Sequence, residues 1–292
     1  QGFHGNYLDF YPSVFKMVPY PKGNTSWHHL WFILYLFIYD VICAPFFVWL
    51  ISQKGKIALQ KLSWLAKGKN IYLMMLPSII IYASLILKYP MTDDLIHDGT
   101  YFPFWLTFLL GGFICIANTA LMDSLERNRR TSLALAFLSL LAINYLRWNN
   151  HEPWDVISNW RNSWLTYGYF VLEVICTWSW VFTSIGYGKK YLNKKHKILD
   201  YVNQAVYPFY ILHQTVIVII VYYVVQTSDT IGMKYIFTVM VSFALTVGIY
   251  HLFIRPYALT RLLFGMKSKK EVEKKSIANP VSTNQPALEA AI

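Results

Sequence analysis

The sequence predicts an all-α protein, a polytopic bundle of transmembrane helices with seven spans. Three observations carry that reading. Hydrophobic residues make up 55% of the 292-residue chain and charged residues only 14%, with a positive mean hydropathy of +0.35. Such a composition belongs to a membrane protein and not to a water-soluble domain. Seven apolar stretches approach the length of about 20 residues that crosses a hydrocarbon core. The lysines and arginines gather in alternate loops between those stretches.

Taken in order, residues 1–28 form an outer segment of aromatics and turn formers, among them Tyr7, Phe10, Tyr11, Pro12, Pro19, Tyr20, Pro21 and Gly23. A partly ordered loop against the bundle or the interface is expected there. Spans are expected at 29–51, 71–88, 102–122, 131–147, 163–186, 205–226 and 234–254. Pro45, Pro77, Gly111, Gly112 and Pro208 fall inside them, where neighbouring helices or water can satisfy the freed backbone groups. The loop 148–162 is rich in Trp and Asn, including Trp148, Asn149, Asn150, Trp154, Asn159 and Trp160. That content suits an aromatic belt at the membrane interface or stacking and hydrogen bonding to a sugar. From Lys267 onward the periodicity is lost, and a disordered tail is expected. The organisation is therefore 1–28 outer segment, 29–264 bundle and 265–292 cytoplasmic tail. The chain begins at Gln1 with no initiator methionine or signal-like stretch, so a fragment or processed form is expected.

The loop at 52–70 holds five lysines, 123–131 three arginines, 187–202 five lysines, and the region after 254 seven basic residues. That places 20 of the 26 basic residues on one side. The alternate loops hold only Lys16, Lys22, Lys88, Arg147, Arg161 and Lys234, beside seven acids. The positive-inside rule puts residue 1 outside and the C-terminus in the cytoplasm, as an odd number of spans requires. The net charge of +11 is thus a topology signal, with contact to anionic membrane lipids as a secondary role. Nucleic acid is not expected as a partner. The sequence does not reveal the oligomeric state.

Candidate chemistry lies in ionisable residues at membrane depth, which are costly there and mark function. His213 sits about a third of the way along the apolar span 205–226, and Glu173 near the middle of the preceding span. Around Glu173, the residues Thr166, Tyr169, Thr177, Trp180 and Ser184 recur at helical spacing. They form one continuous face that should line a cavity or a helix–helix contact. Asn203, Tyr207, Tyr210 and Gln214 recur likewise beside His213. Each of Glu173 and His213 also admits a purely structural reading, as a polar group satisfied inside the bundle. His29 and Asp40, 11 residues apart, should share a face of the first span. His28, Trp31, Tyr35 and Tyr39 make an aromatic stripe that reads as packing. Arg147, at the outer end of the fourth span, suits either an anionic group or snorkelling to the headgroups.

Other chemistries find no support. There is no GxSxG elbow, P-loop, HExxH or dinucleotide fingerprint, and the eight histidines lack ligand spacing. No metal is expected. Cys43, Cys115 and Cys176 lie within apolar segments and show no disulfide or CxxC pattern.

Two segments are recognisable. Trp27-His-His-Leu-Trp-Phe-Ile-Leu-Tyr-Leu-Phe37 followed by Pro45, and Asn203-Gln-Ala-Val-Tyr-Pro-Phe-Tyr-Ile-Leu-His-Gln-Thr215, resemble acyltransferase family 3. The branch they look most like contains the glucan biosynthesis protein C type. Gly2-Phe-His-Gly, Tyr11-Pro and Trp27-His are similar to that branch's outer loop. The resemblance runs over about residues 1–260. It implies an inner-membrane enzyme of about ten spans, its first spans and an essential histidine lying before residue 1. It implies transfer of an acetyl or succinyl group from a cytoplasmic coenzyme A thioester to a glycan hydroxyl across the membrane. On that basis His213 is expected to transfer a proton or polarise the thioester, and Glu173 to orient a histidine or a sugar hydroxyl. His29, Trp31 and Arg147 are expected at the acceptor's outer mouth, with Tyr207, Tyr210 and Gln214 also binding substrate. Lys189, Lys190, Lys194, Lys195 and Lys197 are placed to meet coenzyme A phosphates. A secondary transporter using intramembrane His, Glu and Asp is the competing reading, and a non-catalytic membrane scaffold or sensor a third.

Overall fold

The computed structural model describes residues 5–18, 23, 28–92, 95, 97–194 and 196–267, without the side chains of residues 7, 14, 28 and 197. The expected tail beyond 267, Lys195 and the motif residues Gly2, Phe3, His4 and Trp27 lie outside the described residues. No strand occurs among the described residues, and the architecture is an all-α membrane bundle.

The first helix, α1 (Tyr7–Val14), stands where a loop was expected. Asn6 and Asp9 explain it. Each side chain accepts from the other's backbone N–H, at 3.0 and 3.3 Å, a reciprocal cap that satisfies two donors the first turn leaves orphaned. Next come α2 (Trp31–Ile51), α3 (Gln53–Lys61), α4 (Leu76–Leu85, entered through a 3-10 segment from Asn70) and α5 (Tyr101–Ala117). They are followed by α6 (Thr119–Trp148), the short α7 (Pro153–Val156) and α8 (Trp164–Tyr187).

All seven apolar segments are helical. Five helices are long and apolar enough to cross a membrane, and those over Asn70–Leu85 and Tyr101–Ala117 are shorter. The third span ends before the expected 122 because Asn118 leaves the helical region (φ −128°, ψ 100°) and caps Ala120 N–H with its side chain at 3.1 Å. The arginine-rich stretch 123–131, expected as a loop, is instead the first part of the 30-residue α6. It contains no Gly or Pro, and Leu, Glu and Arg propagate a helix well. At this end Arg127 donates to Ala66 O (2.7 Å) and Asn128 to Gly68 O (2.8 Å), pinning the connection that follows α3.

The helices α6 and α8 make the most extensive pairing. The buried row of α6 is Leu121, Leu125, Asn128, Ser132, Ala136, Ser139 and Ile143. Several of these are small, which lets two membrane helices approach closely where hydrophobic transfer alone gives no drive. On α8 the buried residues include Phe170, Val174, Trp178, Phe182 and Gly186, every fourth residue. A Cβ at Gly186 would stand 2.6 Å from Leu125 O, so the contact needs glycine. A polar ladder ties α8 to α4 and α5: Trp178 Nε1 donates to Ser78 Oγ (2.7 Å), which meets Thr107 Oγ1 at 2.6 Å. Thr107 in turn donates to Phe104 O, so the shared proton between the hydroxyls is Ser78's.

Contacts divide the chain into two compact units, residues 1–193 and 194–292. The second contains α9 (Lys197–Val224), α10 (Ile231–Ile249) and α11 (Ala258–Leu263). The span expected from 205 begins eight residues earlier, where His196 caps Ile198 N–H with its ring nitrogen at 3.2 Å. Phe209 packs on Phe243 (5.8 Å) to join α9 and α10, and Tyr201 on Tyr250 (5.5 Å), just past the end of α10. Lys234 donates to Val225 O and Thr227 O (3.2 and 2.7 Å), closing the carbonyl end of α9.

Candidate functional site

In the first unit, two phenol-to-carboxylate pairs stand side by side on α8. Tyr82 of α4 donates its hydroxyl proton to Glu173 Oε2 at 3.0 Å. Tyr101, at the start of α5, lies 3.4 Å from the same Tyr82 oxygen. A hydroxyl has one proton, so with Tyr82's committed to Glu173 the Tyr101 hydroxyl is the donor to Tyr82. One turn before Glu173, Tyr169 donates to Glu152 Oε1 at 2.7 Å. Arg147 Nε reaches the same oxygen at 3.2 Å, and its Nη2 lies 3.5 Å from the Tyr169 hydroxyl. The sequence builds this locally. Asn149 and Asn150 end α6, with Asn150 at a positive φ of 54°. Glu152 then precedes Pro153 in extended conformation, as a residue before proline must. The turn brings Glu152 back beneath Arg147.

Arg147 is therefore the partner of an acid from its own loop and does not snorkel alone. Glu173 is half-buried and holds a partner in a different helix. The polar face proposed around it is only partly realised. Thr166 and Tyr169 are buried, whereas Ser184 is exposed and donates to Trp180 O on its own helix at 2.8 Å. Thr177 likewise donates to Glu173 O at 2.9 Å. Hydroxyls on a helix can bond the carbonyl four residues back, so their spacing overstated the cavity-facing length.

On α2, Trp31 begins the aromatic stripe, edge-on to Tyr35 at 5.1 Å. Tyr35 donates to Asp98 Oδ2 (2.8 Å) and Tyr39 to Phe102 O (2.5 Å), which fastens α2 to the start of α5. The stripe packs, as its spacing suggested. His29 lies in a 3-10 turn before α2 begins and is half-buried, while Asp40 is exposed.

In the second unit, the His213 ring lies parallel to Phe209 (centroids 6.0 Å apart) and beside Tyr210 (5.6 Å). Its Nδ1 faces two carbonyls, Tyr210 O at 2.7 Å and Phe209 O at 3.2 Å. Carbonyls only accept, so in the neutral ring Nδ1 carries the proton and Nε2 keeps the basic lone pair. Tyr207 and Gln214 are exposed, and Tyr210 is half-buried. Tyr207 lines an open cleft of about 300 Å³ with Asn203, Gln204, Gly265, Met266 and Lys267.

The lysines placed for phosphates are partly committed elsewhere. Lys189 pairs with Asp123 and Glu126, and Lys190 with Glu126 at 3.7 Å. Among the described residues, no three His, Cys, Asp or Glu side chains gather as a metal set. Sequence reasoning missed Glu152, Tyr82 and Tyr101 as parts of the site. An Arg followed five residues later by a Glu across an Asn-rich turn was a readable signal for Glu152. Tyr82 and Tyr101 carried none, because Tyr82 meets Glu173 from 91 positions away in sequence and Tyr101 joins through Tyr82.

A family model described as an acyltransferase domain matches residues 2–254 of the chain. No curated protein and no solved structure matches it.

Proposed function

The chain belongs to acyltransferase family 3 and is a membrane acyltransferase, and we propose that it transfers an acetyl or succinyl group from a coenzyme A thioester to a glycan hydroxyl at the outer face of the inner membrane. The observation that carries the chemical part is the Tyr101–Tyr82–Glu173 chain. A carboxylate at membrane depth is costly and is held in place by a phenol from another helix. Such a group can accept the proton of an incoming hydroxyl.

In the transfer, the acceptor oxygen loses its proton to a base and attacks the thioester carbonyl. The carbonyl–sulfur bond then breaks, and the sulfur leaves with a proton as the free thiol. Glu173 is the acceptor proposed for the first step, with the Nε2 lone pair of His213 as the alternative. Phenol and backbone donors would stabilise the oxyanion. A water-poor site keeps hydrolysis from competing.

The positive-inside distribution supports residue 1 outside and the C-terminus in the cytoplasm, where coenzyme A thioesters are made. It supports a glycan mouth near Arg147, His29, Trp31 and the loop 148–162. Tyr207, Tyr210 and Gln214 are proposed as further substrate contacts. Incubation of membranes containing the protein with radiolabelled acetyl- or succinyl-coenzyme A and glucan tests the reading. Ester-linked label on the glycan, released by mild base, supports it; intact donor and unlabelled glycan defeat it.

A further inference from the structure

We propose that the face of α2 carrying Phe37, Asp40, Val41, Ala44 and Val48 is the seam of a two-fold dimer. On it the same helix of a second copy of this chain docks, with Asp40 paired to the partner's Asp40.

Asp40 sets the requirement. It stands near the middle of the 21-residue α2, about 15 Å from either end, and so close to the midplane of a core about 30 Å thick. It is exposed on the helix and has no hydrogen-bond partner among the described residues. A carboxylate turned to lipid at that depth is costly, and acids within spans pair with other polar groups instead. The chain offers no cation at that level. Within its seven apolar segments lysine and arginine occur only at the ends, as Lys88, Arg147 and Lys234.

The opposite side of α2 is already used. Tyr35, Tyr39 and Cys43 are buried there, and the two phenols bond Asp98 and Phe102 O beside the start of α5. On the unused side Phe37, Val41 and Val48 are exposed. With Ala44 they recur at spacings of 4, 3 and 4, the repeat along which two helices pack with a left-handed crossing. Ala44, also exposed, lies one turn after Asp40 and is small enough to let two backbones approach.

Symmetry identifies the occupant. A two-fold axis along the membrane normal sets two copies of α2 parallel, with every residue at the depth of its own image. Asp40 then meets the partner's Asp40 whatever its level, whereas an unrelated helix would need a donor of its own at that depth. Two carboxyl groups in contact there hold at least one proton between them, because both cannot ionise side by side. The protonated carboxyl donates to the other, so each has a partner.

The test is oxidative disulfide cross-linking of the full-length protein in its own membranes, with wild type as the control for Cys43, Cys115 and Cys176. Ala44→Cys is expected to give a covalent dimer, and Ile80→Cys, at an exposed position of α4, none. In the Ala44→Cys background, Asp40→Asn keeps a hydrogen-bonding pair and should leave the yield close to its parent's. Asp40→Leu should lower it about 10-fold. A second measurement counts copies by single-molecule photobleaching of labelled protein in liposomes. There Ala44→Phe, which lipid accepts and a close seam does not, should convert dimers to monomers, and it decides the matter if Asp40→Leu fails to fold. Absence of a covalent dimer from Ala44→Cys would overturn the seam, as would a dimer indifferent to Asp40→Leu or to Ala44→Phe. Cross-linking of the Ala44→Cys site to another segment of the same polypeptide would also overturn it, by showing that a further span covers Asp40.

Discussion

The Tyr82 hydroxyl points its proton at Glu173 Oε2 across 3.0 Å, joining α4 to the middle of α8. Tyr101 fills the position behind Tyr82, so the carboxylate stands at the end of a chain of two phenols with fixed donor direction.

Glu173→Gln keeps the shape and still accepts from Tyr82, but it removes the proposed base. Acyl transfer is expected to fall about 100- to 10,000-fold with the helical circular dichroism unchanged. Tyr82→Phe leaves a half-buried acceptor short of its donor and should cost about 1–3 kcal/mol of stability. Undiminished turnover in Glu173→Gln would leave Glu173 a structural group.

His213→Ala is expected to reduce transfer over the same range. Its ring is held by two backbone carbonyls and packed between aromatic neighbours, so a Phe209→Ala change should lower activity less, through looser positioning. Comparable kinetics in wild type and His213→Ala would remove the imidazole from the mechanism.

How much of this was legible in the chain follows from distance in sequence. The seven apolar segments were readable because burial in lipid is a local demand on composition. Glu173 and His213 stood out because ionisable groups are rare at that depth. The partners that define the site were not readable. Tyr82 and Tyr101 look like two of the chain's 22 tyrosines until tertiary packing directs their hydroxyls. The arginine-rich stretch 123–131 was misread as a loop because charge was taken for a break, whereas propensity and the absence of Gly and Pro carried the helix through. The small-residue row of α6 escaped notice because Ser and Ala give a weak hydropathy signal, although close approach depends on them.

Gly186→Ala tests that approach. The added methyl would meet Leu125 O at 2.6 Å and the Arg129 Cβ at 2.9 Å, neither of which can swing away. A loss of about 1–3 kcal/mol is expected, read as a lower melting temperature in detergent. An equal or higher melting temperature would mean that α6 and α8 are farther apart in the membrane.

Topology gives a further outcome. Single cysteines at Asp155 and Lys190, beyond opposite ends of α8, should label from opposite sides of the membrane with a membrane-impermeant maleimide. The Asp155 site should react from outside. Labelling of both from one side contradicts the orientation.

The most direct measurement of transmembrane transfer uses sealed vesicles of known orientation containing the protein. Labelled acyl-coenzyme A is supplied only on the cytoplasmic side and glucan only on the opposite side. The account predicts ester-linked label on the glucan, abolished by Glu173→Gln. Label that appears only when donor and glucan share one side would contradict it, as would entry of unmodified glucan into the donor compartment.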